Sequence, residues 1–161
     1  MRDELETLLV RGYRYGLSLT HDPDRAEDLL QDAWVSVLKA RGPREIGYLF
    51  AAIRSRFVDQ TRRKRIELVE ALPPEELERI ADDERSWQPE ISLGSKDLEA
   101  ALAKLRPEER EILFLQAVEG FTAKEIGELT GRPRGTVLSL LHRTRKKLVR
   151  ALGEPRREAK P

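Results

Sequence analysis

Apolar residues recur along this chain at helical spacing, and almost nowhere do they alternate as a strand would require. Leu5, Leu8, Leu9 and Leu17 share one face of a predicted first helix over Asp3 to Leu19. The stretch "THDPD" ends it and opens a second, with Asp22 as N-cap and Pro23 at the first helical position. In that second helix Ala26, Leu29, Leu30, Ala33, Val37 and Leu38 form a broad apolar face that stops at Gly42-Pro43. A third helix is predicted from about Arg44 to Arg65, with Ile46, Leu49, Phe50, Ile53 and Phe57 as its buried stripe. These three helices suffice for one small bundle.

The pattern fades after residue 66 and resumes near residue 97. A short helix carries Leu98, Ala101, Leu102 and Leu105, and Pro107 opens another, "PEEREILFLQAV", which ends near Gly120. Thr122 followed by Glu125 forms a capping box, with Phe121 and Ile126 placed as a hydrophobic staple. That helix ends at Gly131. After a short corner the stretch "GRPRGTVLSLLHRTRKKL" continues without a breaker, and Gly153 to Pro161 reads as a frayed tail.

Charge sharpens this division. The net charge of +1 would point to no partner if it were evenly spread. Residues 67 to 95, however, hold nine acids against two arginines, a local charge of −7, together with Pro73, Pro74, Pro89 and Gly94. Such a stretch is expected to be a linker with one short helix around Glu75 to Ala81. Between Arg132 and Arg150 stand Arg132, Arg134, Arg143, Arg145, Lys146, Lys147 and Arg150, with no acid among them. In "IRSRFVDQTRRKR", Arg54, Arg56, Arg62, Arg63, Lys64 and Arg65 face the single acid Asp59. Two basic surfaces are thus bridged by an acidic tether, an arrangement suited to holding one DNA at two places.

Composition excludes several classes. With no cysteine there is no disulfide scaffold or thiolate chemistry, and the two histidines, His21 and His142, are too far apart in sequence to suggest a local metal site. No carboxylate stands in a Gly-rich, His-paired or metal-spaced setting, so neither an enzyme nor a cofactor is expected. The segment "MRDELETLLVRGYRYG" lacks the apolar middle of a signal peptide, and no apolar run approaches a membrane span. The expected location is cytoplasmic, without membrane insertion.

Two helices joined by a short Gly-containing turn, the second of them basic, have the form of a helix-turn-helix, whose second helix enters the major groove. An ordinary helical hairpin with a solvated charged face is the bland alternative, but such a face would mix its signs. At 100° per residue, Val137, Leu141, Thr144, Leu148 and Leu152 form a narrow core stripe, with Ser139, His142, Arg143, Lys146 and Arg150 opposite. Leu138 and Leu140 fall on the two flanks, roughly 80° either side of the stripe.

The stretch "LRPEEREILFLQAVEGFTAKEIGELTGRPRGTVLSLLHRTRKKL" resembles the fourth conserved region of the extracytoplasmic-function (ECF) sigma factors of bacterial RNA polymerase. "LTHDPDRAEDLLQDAWVSVLKA", followed by "YLFAAIRSRFVDQTRRKR", resembles their second conserved region. The two occur in the family's order, and the resemblance covers roughly residues 8 to 152. It implies an all-α fold of two small helical domains: an N-terminal three- to four-helix bundle, residues 1–66, and a C-terminal four-helix domain with the helix-turn-helix, residues 97–153. The acidic linker, residues 67–96, joins them, and residues 154–161 form a disordered tail.

The function implied is that of a transcription initiation sigma factor. Its partners would be core RNA polymerase, through the β′ clamp coiled coil and the β flap, promoter DNA, and an anti-sigma factor. Carried over by position, Asp28, Gln31, Asp32 and Trp34 belong to the polymerase-binding stretch, Trp34 being at least as well explained by burial. Arg41, Arg44, Tyr48, Arg54, Ser55, Asp59, Arg62 and Arg63 match the minus-ten surface. Within it, the loop "KARGPREIGY" is short for the family and lacks the aromatic before its Arg-Gly, and Tyr48 reads as core more than as a stacking platform. Asp59 could simply pair with Arg62 or Arg63.

For the minus-thirty-five element the matching positions are Arg132, Arg134, Gly135, Thr136, Leu138, Ser139, His142, Arg143 and Lys146. Positions 138 and 140 are usually basic or polar in the family. Two rival readings remain at this point: a sigma-like decoy that occupies an anti-sigma factor, and a helix-turn-helix regulator acting on duplex DNA alone.

Overall fold

The computed structural model describes residues 1–71 and 95–153, with side chains placed over 1–66 and 97–153. The described residues form seven helices and no strand, so the fold is all-α, as expected. They fall into two compact units, one built from residues 1–16 and 24–71, the other from residues 17–23 and 95–153. None of the helices is long and apolar enough to cross a membrane.

In the first unit, α1 (Arg2–Thr20), α2 (Pro23–Lys39) and α3 (Ile46–Ala71) supply the core. Pro23 does open α2, because its missing N–H lies where a helix has no acceptor to offer. Buried Ala26, Leu29, Ala33 and Val37 are spaced at three and four residues along α2 and face Leu49, Phe50 and Ile53 of α3 in a common interior. The centre of α1's contribution is aromatic: Tyr15 is fully buried and its ring lies 4.4 Å from that of Phe50, tilted by 33°. The leucines expected to carry this face, Leu5, Leu8, Leu9 and Leu17, are only half-buried.

Two expectations are corrected here. Leu38, expected on the apolar face of α2, is 45% exposed, because the face has rotated past it by the last turn of the helix. The third helix does not stop at Arg65 but runs through Ala71, into the acidic stretch assigned to the linker, since nothing before Pro73 breaks it. The short helix expected around Glu75 to Ala81 lies outside the described residues.

The second unit holds α4 (Ser95–Ala103), α5 (Pro107–Ala117), α6 (Ala123–Thr130) and α7 (Arg134–Gly153). Its interior comprises Ala101, Leu105, Ile112, Leu115, Ile126, Val137, Leu141 and Ala151. Where α4 meets α7 the contact is between Ala101 and Ala151, side chains small enough to bring the helices close, with Leu148 and Leu152 packed around them. Leu98, expected on the core face of α4, is 45% exposed instead. Arg110, nearly buried, donates from Nη1 to the carbonyl of Leu105 at 2.6 Å and to that of Leu102 at 3.4 Å. The Leu102 carbonyl also accepts from the Leu105 N–H at 3.1 Å, so Arg110 ties down the chain that leaves α4.

Candidate nucleic-acid interface

The corner that presents α7 is built from local chemistry. Thr122 accepts from the Glu125 backbone N–H at 3.2 Å, and a Glu125 carboxylate oxygen accepts from the Thr122 N–H at 3.3 Å. The capping box read from the sequence is therefore formed. Ile126 is fully buried and Phe121 half-buried. At the far end of α6, Gly131 takes φ +71°, the left-handed conformation a helix needs at this position to reverse its chain. Arg132 then donates its backbone N–H to the Gly127 carbonyl at 3.1 Å. That return passes so near Gly127 that a Cβ there would stand 2.6 Å from the Arg132 carbonyl oxygen. The corner that leads into α7 leaves no room for a side chain at residue 127.

On α7, Val137, Leu141 and Thr144 are buried and Leu148 and Leu152 half-buried, which is the stripe expected from the helical period. Ser139, His142, Arg143, Lys146 and Arg150 are all exposed on the opposite side. Gly135 and Thr136 are exposed near the helix start, and Leu138 is 42% exposed, whereas Leu140 on the other flank is half-buried.

The seven cations of this stretch are not equivalent, because α5 holds three of them. Lys147 donates from Nζ to Glu109 at 3.1 Å, and the same carboxylate oxygen accepts from the Arg106 backbone N–H at 3.2 Å. Arg132 lies 4.0 Å from the buried Glu111 carboxylate, and Arg145 donates to Gln116. A stretch without acids of its own thus draws two from a neighbouring helix. Arg134, Lys146 and Arg150 have no ion-pair partner among the described residues, and Arg143 only approaches its own helix at the Ser139 carbonyl, 3.4 Å away. These four form the exposed positive surface together with Arg145, whose hydrogen bond to the neutral Gln116 leaves its charge in place. Arg132, grouped with them on the sequence, is only 25% exposed in its side chain.

The first unit carries its own basic surface. Asp59, Arg62, Arg63, Lys64 and Arg65 are exposed along α3, together with Ser55, while Arg54 is half-buried. The suggested pairing of Asp59 with Arg62 or Arg63 is not formed. Arg56 donates across to Ser36 on α2 and so braces the two helices.

Between α2 and α3 the chain turns through an unusual residue. Arg41 stands at φ +50°, and Gly42 donates its N–H back to the Val37 carbonyl at 3.0 Å. A left-handed residue with this hydrogen bond is the ordinary way to end a helix, but glycine is the ordinary occupant, and an arginine there costs about 1 kcal/mol. Over the same turn lies the Tyr48 ring, so close that a Cβ on Gly42 would stand 2.3 Å from Tyr48 Cε1. Tyr48 is nevertheless 41% exposed, which corrects the reading of it as core: the ring rests over the turn at Gly42 and stays open to solvent. Arg41 and Arg44 are exposed in the same turn.

The exposed side of α2 is the least expected surface. Asp28, Gln31 and Asp32 are exposed, and Val35 and Leu38 continue the same face at 47% and 45% exposure. Gln31 donates to Glu27 at 3.4 Å, one turn back. Trp34 is half-buried to one side. The two apolar members were assigned inward or left unassigned on the sequence. Their signal was present in the period, since Asp28, Gln31, Val35 and Leu38 are spaced at three and four residues.

Comparison with known proteins agrees with this organisation. Residues 5–66 match the family profile described as Sigma-70 region 2, and residues 95–148 match Sigma-70, region 4. The chain is 36% identical over 146 residues to the ECF RNA polymerase sigma factor SigE of Mycolicibacterium smegmatis, covering 86% of this chain and 56% of that longer protein. It is 34% identical to the RNA polymerase sigma factor CarQ of Myxococcus xanthus, covering 80% of this chain and 75% of that protein. Among solved structures it resembles the sigma factor RpoE of Bartonella quintana, determined in complex with the anti-sigma factor NepR. That similarity has a TM-score of 0.71 at 25% identity and covers 96% of this chain and 98% of the other. With both conserved regions present in order and relatives of this similarity, the chain belongs to the RNA polymerase sigma factors, in their extracytoplasmic-function group.

Proposed function

We propose that this chain is an initiation subunit that binds core RNA polymerase and brings it to particular promoters, opening the minus-ten element and contacting the minus-thirty-five element. The observation that carries this reading is the pairing, in one sigma-factor chain, of two exposed basic surfaces with a separate exposed face suited to protein. The four unpaired cations of α7 follow a fully formed helix-turn-helix corner. The α2 face mixes acid with exposed Val35 and Leu38, a combination that suits a protein partner better than a nucleic acid. We take residues 1–66 as the polymerase- and minus-ten-binding domain and residues 97–153 as the minus-thirty-five domain. The β′ clamp coiled coil would meet α2, the β flap the second domain, and an anti-sigma factor is the third partner, by likeness to the sigma factor solved with NepR. The subunit acts by binding, so it is read as a cytoplasmic protein without a catalytic centre or cofactor.

Copurification with core polymerase followed by run-off transcription tests the whole reading. Asp28→Lys with Leu38→Asp is expected to reduce polymerase binding at least tenfold while leaving helix content unchanged, since both side chains are exposed. A decoy or an independent DNA-binding regulator would start no promoter-dependent transcript with core polymerase, and that result would overturn the proposal.

Within the minus-ten surface, Arg41 is proposed to hold its strained backbone so that its guanidinium stands beside Tyr48 at the tip of the turn. Arg41→Gly is expected to stabilise the first unit by about 0.5–1 kcal/mol in urea denaturation, as the left-handed strain is relieved. The same variant is expected to lower permanganate reactivity of minus-ten thymines several-fold. Unchanged promoter opening would show that the strain serves only the turn.

A further inference from the structure

The exposed face of α7 contains a side chain that can neither donate nor accept a hydrogen bond nor neutralise a phosphate. Leu138 is the fifth residue of the helix, 42% exposed, one turn after Arg134 and one turn before His142. The residue on the opposite flank, Leu140, is half-buried, so the exposure of Leu138 does not follow merely from its standing beside the core stripe. Val149 is exposed too, but eleven residues later, about 16 Å along the axis. When a helix is docked in the major groove, base edges are reached by its N-terminal residues, and later residues reach the backbone. Leu138 belongs to the first group and Val149 to the second.

The charge around Leu138 specifies the kind of surface it meets. Arg134 and His142, one turn to either side, and the adjacent Ser139 are all exposed, and α7 contains no acid. Such a surroundings favours the polyanionic groove over an apolar protein surface. Within the groove a leucine placed against a donor or acceptor leaves that group dehydrated and unpaired, which weakens binding. One base edge avoids this, because thymine presents its C5 methyl group, the apolar feature of the major groove.

We propose that Leu138 is a specificity-determining residue that selects a T·A pair in the minus-thirty-five element by packing on the thymine methyl. The inference rests on the proposed function, since it requires α7 to occupy the groove of promoter DNA. It assigns to Leu138 a contact that discriminates by an absent hydrogen bond as much as by a present methyl: cytosine, with its amino group, is disfavoured at the same place.

The test uses holoenzyme assembled from the full chain and core polymerase on a promoter mapped from its own transcripts. Each thymine of the minus-thirty-five element is replaced singly by deoxyuridine, which removes the methyl and nothing else. One position is expected to show roughly fourfold weaker promoter binding, the worth of one buried methyl group. In Leu138→Ala holoenzyme the difference between thymine and uracil at that position is expected to vanish, although overall binding is weaker. A melting curve of Leu138→Ala matching the parent keeps the loss from being one of folding. If no thymine is sensitive to demethylation, or if the sensitivity persists in Leu138→Ala, the assignment of Leu138 is overturned while the sigma-factor reading stands. A holoenzyme that starts no transcript overturns both.

Discussion

Gly127→Ala is expected to destabilise the second unit by about 1–3 kcal/mol, in a position where the same change would ordinarily help. Alanine is favoured over glycine inside a helix by about 1 kcal/mol. At position 127 the added Cβ would stand 2.6 Å from the Arg132 carbonyl oxygen and 3.8 Å from the Arg134 nitrogen, both of them backbone atoms that no rotamer change can move aside. The chain must open the corner, and in doing so it lengthens the 3.1 Å hydrogen bond from Arg132 to Gly127 and draws Arg132 away from Glu111. Overpacking of this kind costs about 1–3 kcal/mol, a large fraction of a small domain's stability. Gly135→Ala is the matched control: it lies in α7, exposed, with nothing within 4 Å of an added Cβ, and is expected to be neutral or stabilising by up to about 1 kcal/mol. Urea denaturation followed by circular dichroism separates the two. Equal stability of both variants would mean that the corner tolerates a side chain and that its tightness is not what sets the pose of α7.

Replacing Arg143 and Lys146 together by alanine should weaken promoter binding strongly at low salt and progressively less as salt rises. Both side chains are exposed on the face opposite the core stripe, and neither forms an ion pair among the described residues. If each contacts a phosphate, each releases about 0.9 of a counterion, so the slope of log affinity against log salt should fall by about 1.8 in the double variant. Lys147→Ala provides the contrast. Its ammonium is committed to Glu109 at 3.1 Å, so its loss should lower stability and leave the salt slope nearly unchanged. A double variant with the parent's slope would remove this face of α7 from the proposed interface.

The comparison between these lysines shows what could be read from the sequence and what could not. Lys146 and Lys147 are adjacent and chemically identical, and the helical period places the first opposite the core stripe and the second near its edge. What the period leaves open is the neighbour waiting at that edge. Glu109 and Glu111 belong to α5, more than twenty residues earlier, and they reach α7 only after the helices have packed. The same holds for Tyr48, whose aromatic ring suggested core: its place over Gly42 follows from how Arg41 turns the chain, and a left-handed arginine has no sequence signature.

Interactions that close within four or five residues were determined by the sequence itself. The capping box at Thr122 and Glu125, the left-handed stop at Gly131, Pro23 at the head of α2 and the buried Val137, Leu141 and Thr144 depend on local geometry and on the helical period, and each is found where those rules put it. The tertiary structure alone decided which cations of the 132–150 stretch are held by α5, and which flanking leucine stays in water. Charge and hydrophobicity are properties of a residue, and the sequence states them. Whether a charge is neutralised, or an apolar side chain covered, depends on a partner that the chain brings near only by folding.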